Sequence, residues 1–169
     1  IVQDIKSTKK IQSAYLPSYC CHTIIKPFID NEIEIKFYQV SFKNRQFVYD
    51  IDFNISCDIF FAINYFGFEN EAMDEYIENF KDKGVLIIED ATHMWFSEKK
   101  FNDKSDYVFV SFRKWTGLAA GSLVIKEYDN FLIPEPDKTN EKYIELRQKA
   151  YSLKTQYINE YPASSITSK

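Results

Sequence analysis

Glycine is scarce in this chain of 169 residues: there are four, at positions 67, 84, 117 and 121. Neither a Walker loop nor a GxGxxG fingerprint can be built from them, because both need clustered glycines to bring the backbone against a phosphate. Cysteine is equally sparse. Cys20 and Cys21 are adjacent and Cys57 stands alone, which offers no zinc-ligand spacing and no disulfide framework. A reducing, cytoplasmic setting is therefore expected. No apolar run approaches the ~20 residues needed to cross a bilayer, and no signal-peptide pattern opens the sequence, so no membrane partner is expected. Positive charge is outweighed, with 21 Lys and Arg against 25 Asp and Glu for a net charge of -4. That lacks the basic excess of a nucleic-acid footprint.

Aromatic residues are abundant. Fifteen Phe and 12 Tyr, within a hydrophobic fraction of 45%, describe a folded domain able to bury a substantial core. Short continuous apolar runs are the form taken by parallel strands covered on both faces. Such runs occur at Ser13–Pro17, Ile33–Val40, Asp58–Asn64, Gly84–Asp90, Tyr107–Phe112 and Ser122–Lys126. Helical patterns lie between them. From Glu69 to Lys83, the residues Ala72, Met73, Tyr76, Ile77 and Phe80 share one face, and Gly84 follows as a stop signal. A second helix is expected from about Ser18 to Phe28, ended or kinked by Pro27. This alternation predicts an α/β fold: a mostly parallel sheet flanked by helices.

The character changes after Lys126. "IPEPDKTN" (Ile133–Asn140) reads as a linker, followed by a polar helix from Glu141 to about Glu160. In it Tyr143, Leu146, Ala150, Leu153 and Tyr157 recur at heptad-like spacing, a stripe that needs something to pack on. The tail "PASSITSK" has the composition of a frayed end.

In open α/β sheets ligands bind beyond the carboxyl ends of the strands. One expected strand delivers Glu89, Asp90 and then His93; another delivers Ser111, followed by Arg113 and Lys114; a third ends at Asn64 and "YFG". Each has a plainer reading. Asp90 is well suited to capping a turn, His93 to a structural hydrogen bond, Arg113 and Lys114 to a solvated turn, and Glu89 to a structural pairing. Their placement at successive strand ends is what suggests a shared task. A carboxylate on one end with a hydroxyl and an amine on another suits pyridoxal 5′-phosphate, which presents an aldehyde, a pyridine nitrogen and a phosphate.

The order of these residues resembles a known pattern. "LPSY" (Leu16–Tyr19), "INYFG" (Ile63–Gly67), "IIEDATH" (Ile87–His93), and "SFRKW" with "AGSLVI" (Ser111–Ile125) resemble the large domain of fold-type-I pyridoxal-phosphate enzymes. The resemblance is specifically to DegT/StrS-like nucleotide-sugar aminotransferases of polysaccharide biosynthesis. It implies that Asp90 binds the pyridine nitrogen, His93 the phenolic oxygen and Ser111 the phosphate. It also implies that Lys114, partly buried, attaches the aldehyde and shuttles a proton, with Arg113 beside it. Tyr19 would stack on the ring, since Cys21 occupies the usual aromatic position. The implied partners are a nucleotide-linked keto sugar, an amino-acid donor, with glutamate expected, and a second copy of the chain in a homodimer.

Departures accompany the resemblance. The Ser111–Lys114 spacing is two residues short of the family's, and Ala120-Gly121 stands where relatives have two glycines. It further implies a truncated large domain, with the phosphate-cupping turn preceding Ile1 and a C-terminal domain following Lys169. Residues 1–130 would then be the cofactor-binding core and 131–169 a linker and amphipathic helix, a piece whose own activity is in question. Three other readings stay open: a non-catalytic interaction module, a sugar dehydratase relative, and an unrelated doubly wound phosphate binder. Lys114 counts against the dehydratase, which carries histidine there, and the lack of a glycine-rich loop counts against the phosphate binder.

Overall fold

The expected apolar runs are strands in the structure, a computed structural model that describes residues 1–68, 71–134 and 140–161. In chain order the elements are α1 (Val2–Thr8), β1 (Ser13–Pro17), α2 (His22–Ile29), β2 (Glu34–Lys43), β3 (Gln46–Asp50) and β4 (Ile59–Ile63). There follow α3 (Glu71–Asp82), β5 (Leu86–Asp90), β6 (Tyr107–Ser111), β7 (Ser122–Lys126) and α4 (Glu141–Glu160). Glu69 and Asn70, where the third helix is expected to begin, lie outside the described residues, as do linker residues 135–139 and tail residues 162–169. The chain divides into two compact units, residues 1–111 with 122–134 and residues 112–121 with 135–169.

The first unit is a seven-stranded sheet in the order β3-β2-β1-β4-β5-β6-β7. Strands β2, β1, β4, β5 and β6 run parallel, and β3 and β7 are antiparallel edges. Its central strands are buried along their length because helices cover both faces. Phe60 of β4 stacks on Phe80 of α3 (centroids 4.4 Å apart), while Phe61, pointing the other way, meets Phe28 of α2 at 6.4 Å. The helix α3 closes as its sequence predicts: Val85 N–H bonds Phe80 O, Gly84 N–H bonds Lys81 O, and Gly84 sits at φ +78°.

Two elements depart from the sequence reading. Strand β3 pairs antiparallel with β2 through a two-residue turn, Asn44-Arg45, whose φ values are +51° and +63°. Pro27 does not end α2, which runs two residues further, to Ile29. A proline in the last turn costs one hydrogen bond and leaves most of the helix intact.

In the second unit, a 3-10 turn spans Phe112–Lys114, and α4 runs for 20 residues with Asn140 Oδ1 accepting from Tyr143 N–H (3.0 Å) as its cap. No helix among the described residues is long and apolar enough to cross a membrane.

Candidate functional site

Parallel strands place their carboxyl ends along one edge, and hydrogen bonds tie these ends together. Asp90 is the last residue of β5 and only 7% exposed. Its Oδ1 accepts the Thr92 N–H at 2.9 Å, closing a local turn that fixes the carboxylate's orientation. The same threonine accepts the Ser111 N–H on Oγ1 (3.1 Å), so the end of β6 is fastened to the turn that holds Asp90. Asp90 pairs with Phe109 in register, and Ser111 lies two residues beyond Phe109, so Asp90 and Ser111 share the α2 face.

His93 is reached from β4. The turn after β4 carries Phe66 in the left-handed region (φ +58°), uncommon for an aromatic residue. From there the Phe66 N–H donates to His93 Nδ1 at 3.0 Å, and the two rings stack 5.4 Å apart and 9° from parallel. That bond fixes the tautomer, because an accepting Nδ1 leaves the neutral ring's proton on Nε2. Gly67 permits the approach: a Cβ there would stand 2.8 Å from His93 O.

Tyr19 follows β1. Its carbonyl accepts the Tyr65 hydroxyl, and its ring packs on Tyr65 (5.5 Å). The Tyr19 side chain is exposed and helps line an aromatic groove of about 420 Å³ with Phe42, Phe47, Phe66 and Phe68. A second cavity, about 320 Å³, lies on the α2 face and is lined by residues including Thr23, Phe61, Ile88, Phe109 and Ser122. Ile88 precedes Asp90 on the same face; Asp90 and His93 are not among the lining residues.

Arg113 and Lys114 occupy the 3-10 turn that follows Ser111 in the chain, and both are exposed. The partial burial expected of the lysine is not observed. Glu89 is structural, though through neither a cation nor solvent: it is fully buried, and Oε2 accepts from Asn102 N–H (2.9 Å) and Ser105 Oγ–H (2.7 Å). Burial pushes its carboxyl above the ordinary range. Among the described residues no group of His, Cys, Asp and Glu could hold a metal ion.

Thr92, Phe66 and Gly67 fall within the motifs at 87–93 and 63–67, but the sequence assigns none of them a role of its own. The Asp-x-Thr spacing at 90–92 is an Asx-turn signal and could have marked Thr92. Phe66 and Gly67 follow an ordinary turn pattern and reveal their role only through contact with His93.

The chain has the α/β fold of the large domain of fold-type-I pyridoxal-phosphate enzymes. Among solved structures, the PLP-bound C-S lyase from Staphylococcus hominis matches with a TM-score of 0.57 at 14% identity, over 89% of this chain and 42% of that one. A PLP-bound putative aminotransferase from Clostridium difficile 630 gives 0.53 at 14% identity, over 90% and 43%. Cystalysin from Treponema denticola, which contains a pyridoxal 5′-phosphate cofactor, gives 0.54 at 12% identity, over 90% and 42%. This chain thus spans less than half the length of each, and at such identities the likeness carries the fold alone. No protein-family model and no curated protein matches the sequence.

Proposed function

We propose that this chain is the cofactor-binding core of a pyridoxal-phosphate-dependent enzyme of the aminotransferase type. The observation that carries the reading is Asp90, a nearly buried carboxylate at a central strand end, oriented by the Thr92 N–H and linked through Thr92 to Ser111. By the motif resemblance, Asp90 would hold the pyridine nitrogen, His93 the phenolic oxygen and Ser111 the phosphate, with Arg113 as a further cation. Lys114 would be the amine that takes the aldehyde and moves a proton at the substrate carbon. Tyr19 contributes an aromatic face. When bound, pyridoxal phosphate supplies an electron sink for a carbanion.

The finer assignment, amino transfer from glutamate to a nucleotide-linked keto sugar by a homodimer, rests on the "EDATH" and "SFRKW" motifs at 89–93 and 111–115. A lysine at position 114 argues against the dehydratase chemistry of relatives that carry histidine there.

The test is titration of the 169-residue chain with pyridoxal phosphate, followed by absorbance, then borohydride reduction and peptide mass analysis. We expect a band abolished by Lys114→Ala and a reduced adduct on Lys114. Asp90→Asn keeps an oxygen for the Thr92 N–H, so it should hold stability within about 0.5 kcal/mol while weakening cofactor binding. Asp90→Ala should lose about 1 kcal/mol more with the turn bond. Absence of a lysine-dependent band would remove the enzymatic reading of this chain; an Asp90→Asn variant that unfolds would make Asp90 a structural cap.

A further inference from the structure

Glu89 and Asp90 are neighbours on β5 and point to opposite faces of the sheet, so the candidate site uses Asp90 and leaves Glu89 without a task. Glu89 nevertheless has no exposed surface, and a carboxylate so placed is costly unless its bonds are needed. Three segments of the first unit meet on it. Its Oε2 accepts from the Asn102 N–H (2.9 Å) and the Ser105 hydroxyl (2.7 Å), both on buried residues of the connection between β5 and β6. Its Oε1 faces the Asn64 amide at the end of β4, with Nδ2 3.5 Å away.

These are the segments that hold His93. It lies on the connection that Asn102 and Ser105 close, and its Nδ1 accepts the N–H of Phe66, two residues after Asn64. Glu89 therefore joins the two supports of His93, and the Asn64 contact shows which form of Glu89 does so. At 3.5 Å the amide donates only weakly to a carboxylate, and the buried Asn64 Oδ1 has no donor at all. With a proton on Oε1 and the Asn64 amide turned over, Oδ1 accepts from Glu89 and the long contact becomes an O–H···O bond. The surroundings favour that proton. The strands on either side present Ala62 and Val108 in register with Glu89. Helix α3 contributes Asp74, of like charge, and the connection contributes Lys99, which is paired with Asp74 and not with Glu89.

We propose that Glu89 is a proton-operated pin that positions His93: carrying a proton, it clamps the end of β4 to the β5–β6 connection, and giving that proton to solvent it loosens both. A buried anion without a contacting cation is relieved by local opening that lets water reach it. Opening therefore grows with pH until Glu89 is ionised in the closed state as well. The consequence for a bound cofactor rests on the reading above; the pin itself does not. It is tested by amide hydrogen exchange on the cofactor-free 169-residue chain, with the intrinsic pH dependence of exchange divided out. Between about pH 5 and about pH 8, protection of the Asn102 and Phe66 N–H groups should fall together by about tenfold or more. Glu89→Gln, which keeps an acceptor for Asn102 and Ser105 and cannot ionise, should abolish the fall. Lys99→Gln removes an opposite charge and touches no bond of Glu89, so it should carry the fall to higher pH. The same pH dependence in Glu89→Gln as in the parent, or an unmoved fall in Lys99→Gln, would overturn the proposal. So would a fall at Asn102 that leaves the Phe66 N–H protected. Because no cofactor enters the experiment, failure of the cofactor reading leaves these outcomes unchanged.

Discussion

Gly67 and Gly84 have the same φ, +78°, and opposite surroundings. A Cβ at Gly84 meets nothing within 4 Å, whereas one at Gly67 meets the His93 carbonyl carbon and oxygen, the latter at 2.8 Å. Substituting alanine therefore separates backbone strain from contact. Gly84→Ala should cost about 1 kcal/mol, the ordinary penalty for a side chain in the left-handed region. Gly67→Ala carries the same strain and must also drive the β4 turn away from His93, for a total of about 2–3 kcal/mol. Urea melts of the two variants give the comparison; equal losses would mean that the His93 backbone yields freely. At this scale a candidate site residue is held by a neighbour with no chemistry of its own, and sequence pattern alone does not display that dependence.

Continuous apolar runs made most of the first unit's elements legible. "FFAI" and "LIIED" can sit only where both faces are covered, and Gly84 marks a helix end through the one backbone angle it tolerates better than other residues. Strand β3 was missed because it is an edge. Its Phe47 and Tyr49 are more buried than their neighbours Gln46, Val48 and Asp50, so it alternates, and its turn lacks the Asn-Gly pair that announces a hairpin. The chain instead places Arg45 at φ +63°. Arg45→Gly should relieve that strain at some cost in unfolded-chain entropy, raising stability by about 0.5 kcal/mol in thermal melts. A loss would show that the arginine side chain contributes more to the hairpin than its backbone costs. The strand-end residues Asp90, His93 and Ser111 were legible as candidates because strand polarity carries them to one edge. The turns that orient them were not, since these depend on pairings between residues up to 27 positions apart.

Two of the buried carboxylates, Asp4 and Glu89, make stability depend on pH with opposite signs. Asp4 on α1 accepts from the Tyr107 hydroxyl (2.8 Å) and from the Leu132 and Ile133 N–H groups, and it pairs with Lys126 at 3.0 Å. Burial alone would raise its carboxyl; the Lys126, Tyr107 and backbone donors outweigh it and hold the group well below its ordinary 3.8. Its contribution is therefore present above about pH 4 and lost as pH falls further. Glu89 is the reverse. Buried without a contacting cation and raised above its ordinary 4.5, it favours the folded state fully only below that value. Its contribution is lost as pH rises through the raised value. Asp4→Asn should thus cost about 3 kcal/mol at pH 7, by leaving the Lys126 charge without its counter-ion and only the Asn130 carbonyl to accept from it at 2.8 Å, and flatten the acid limb of the urea midpoint plotted against pH. Glu89→Gln keeps an oxygen for Asn102 and Ser105 and replaces Oε1, which accepts the Asn64 Nδ2–H at 3.5 Å, by an amide donor that Asn64 meets by turning its own amide over, so that its unpartnered buried Oδ1 accepts. It should raise the midpoint at pH 7, with the advantage shrinking towards pH 4. A Glu89→Gln variant less stable than the parent at pH 7 would mean that Glu89 is needed as the anion, and the neutral-pH limb of stability would then have to be assigned elsewhere.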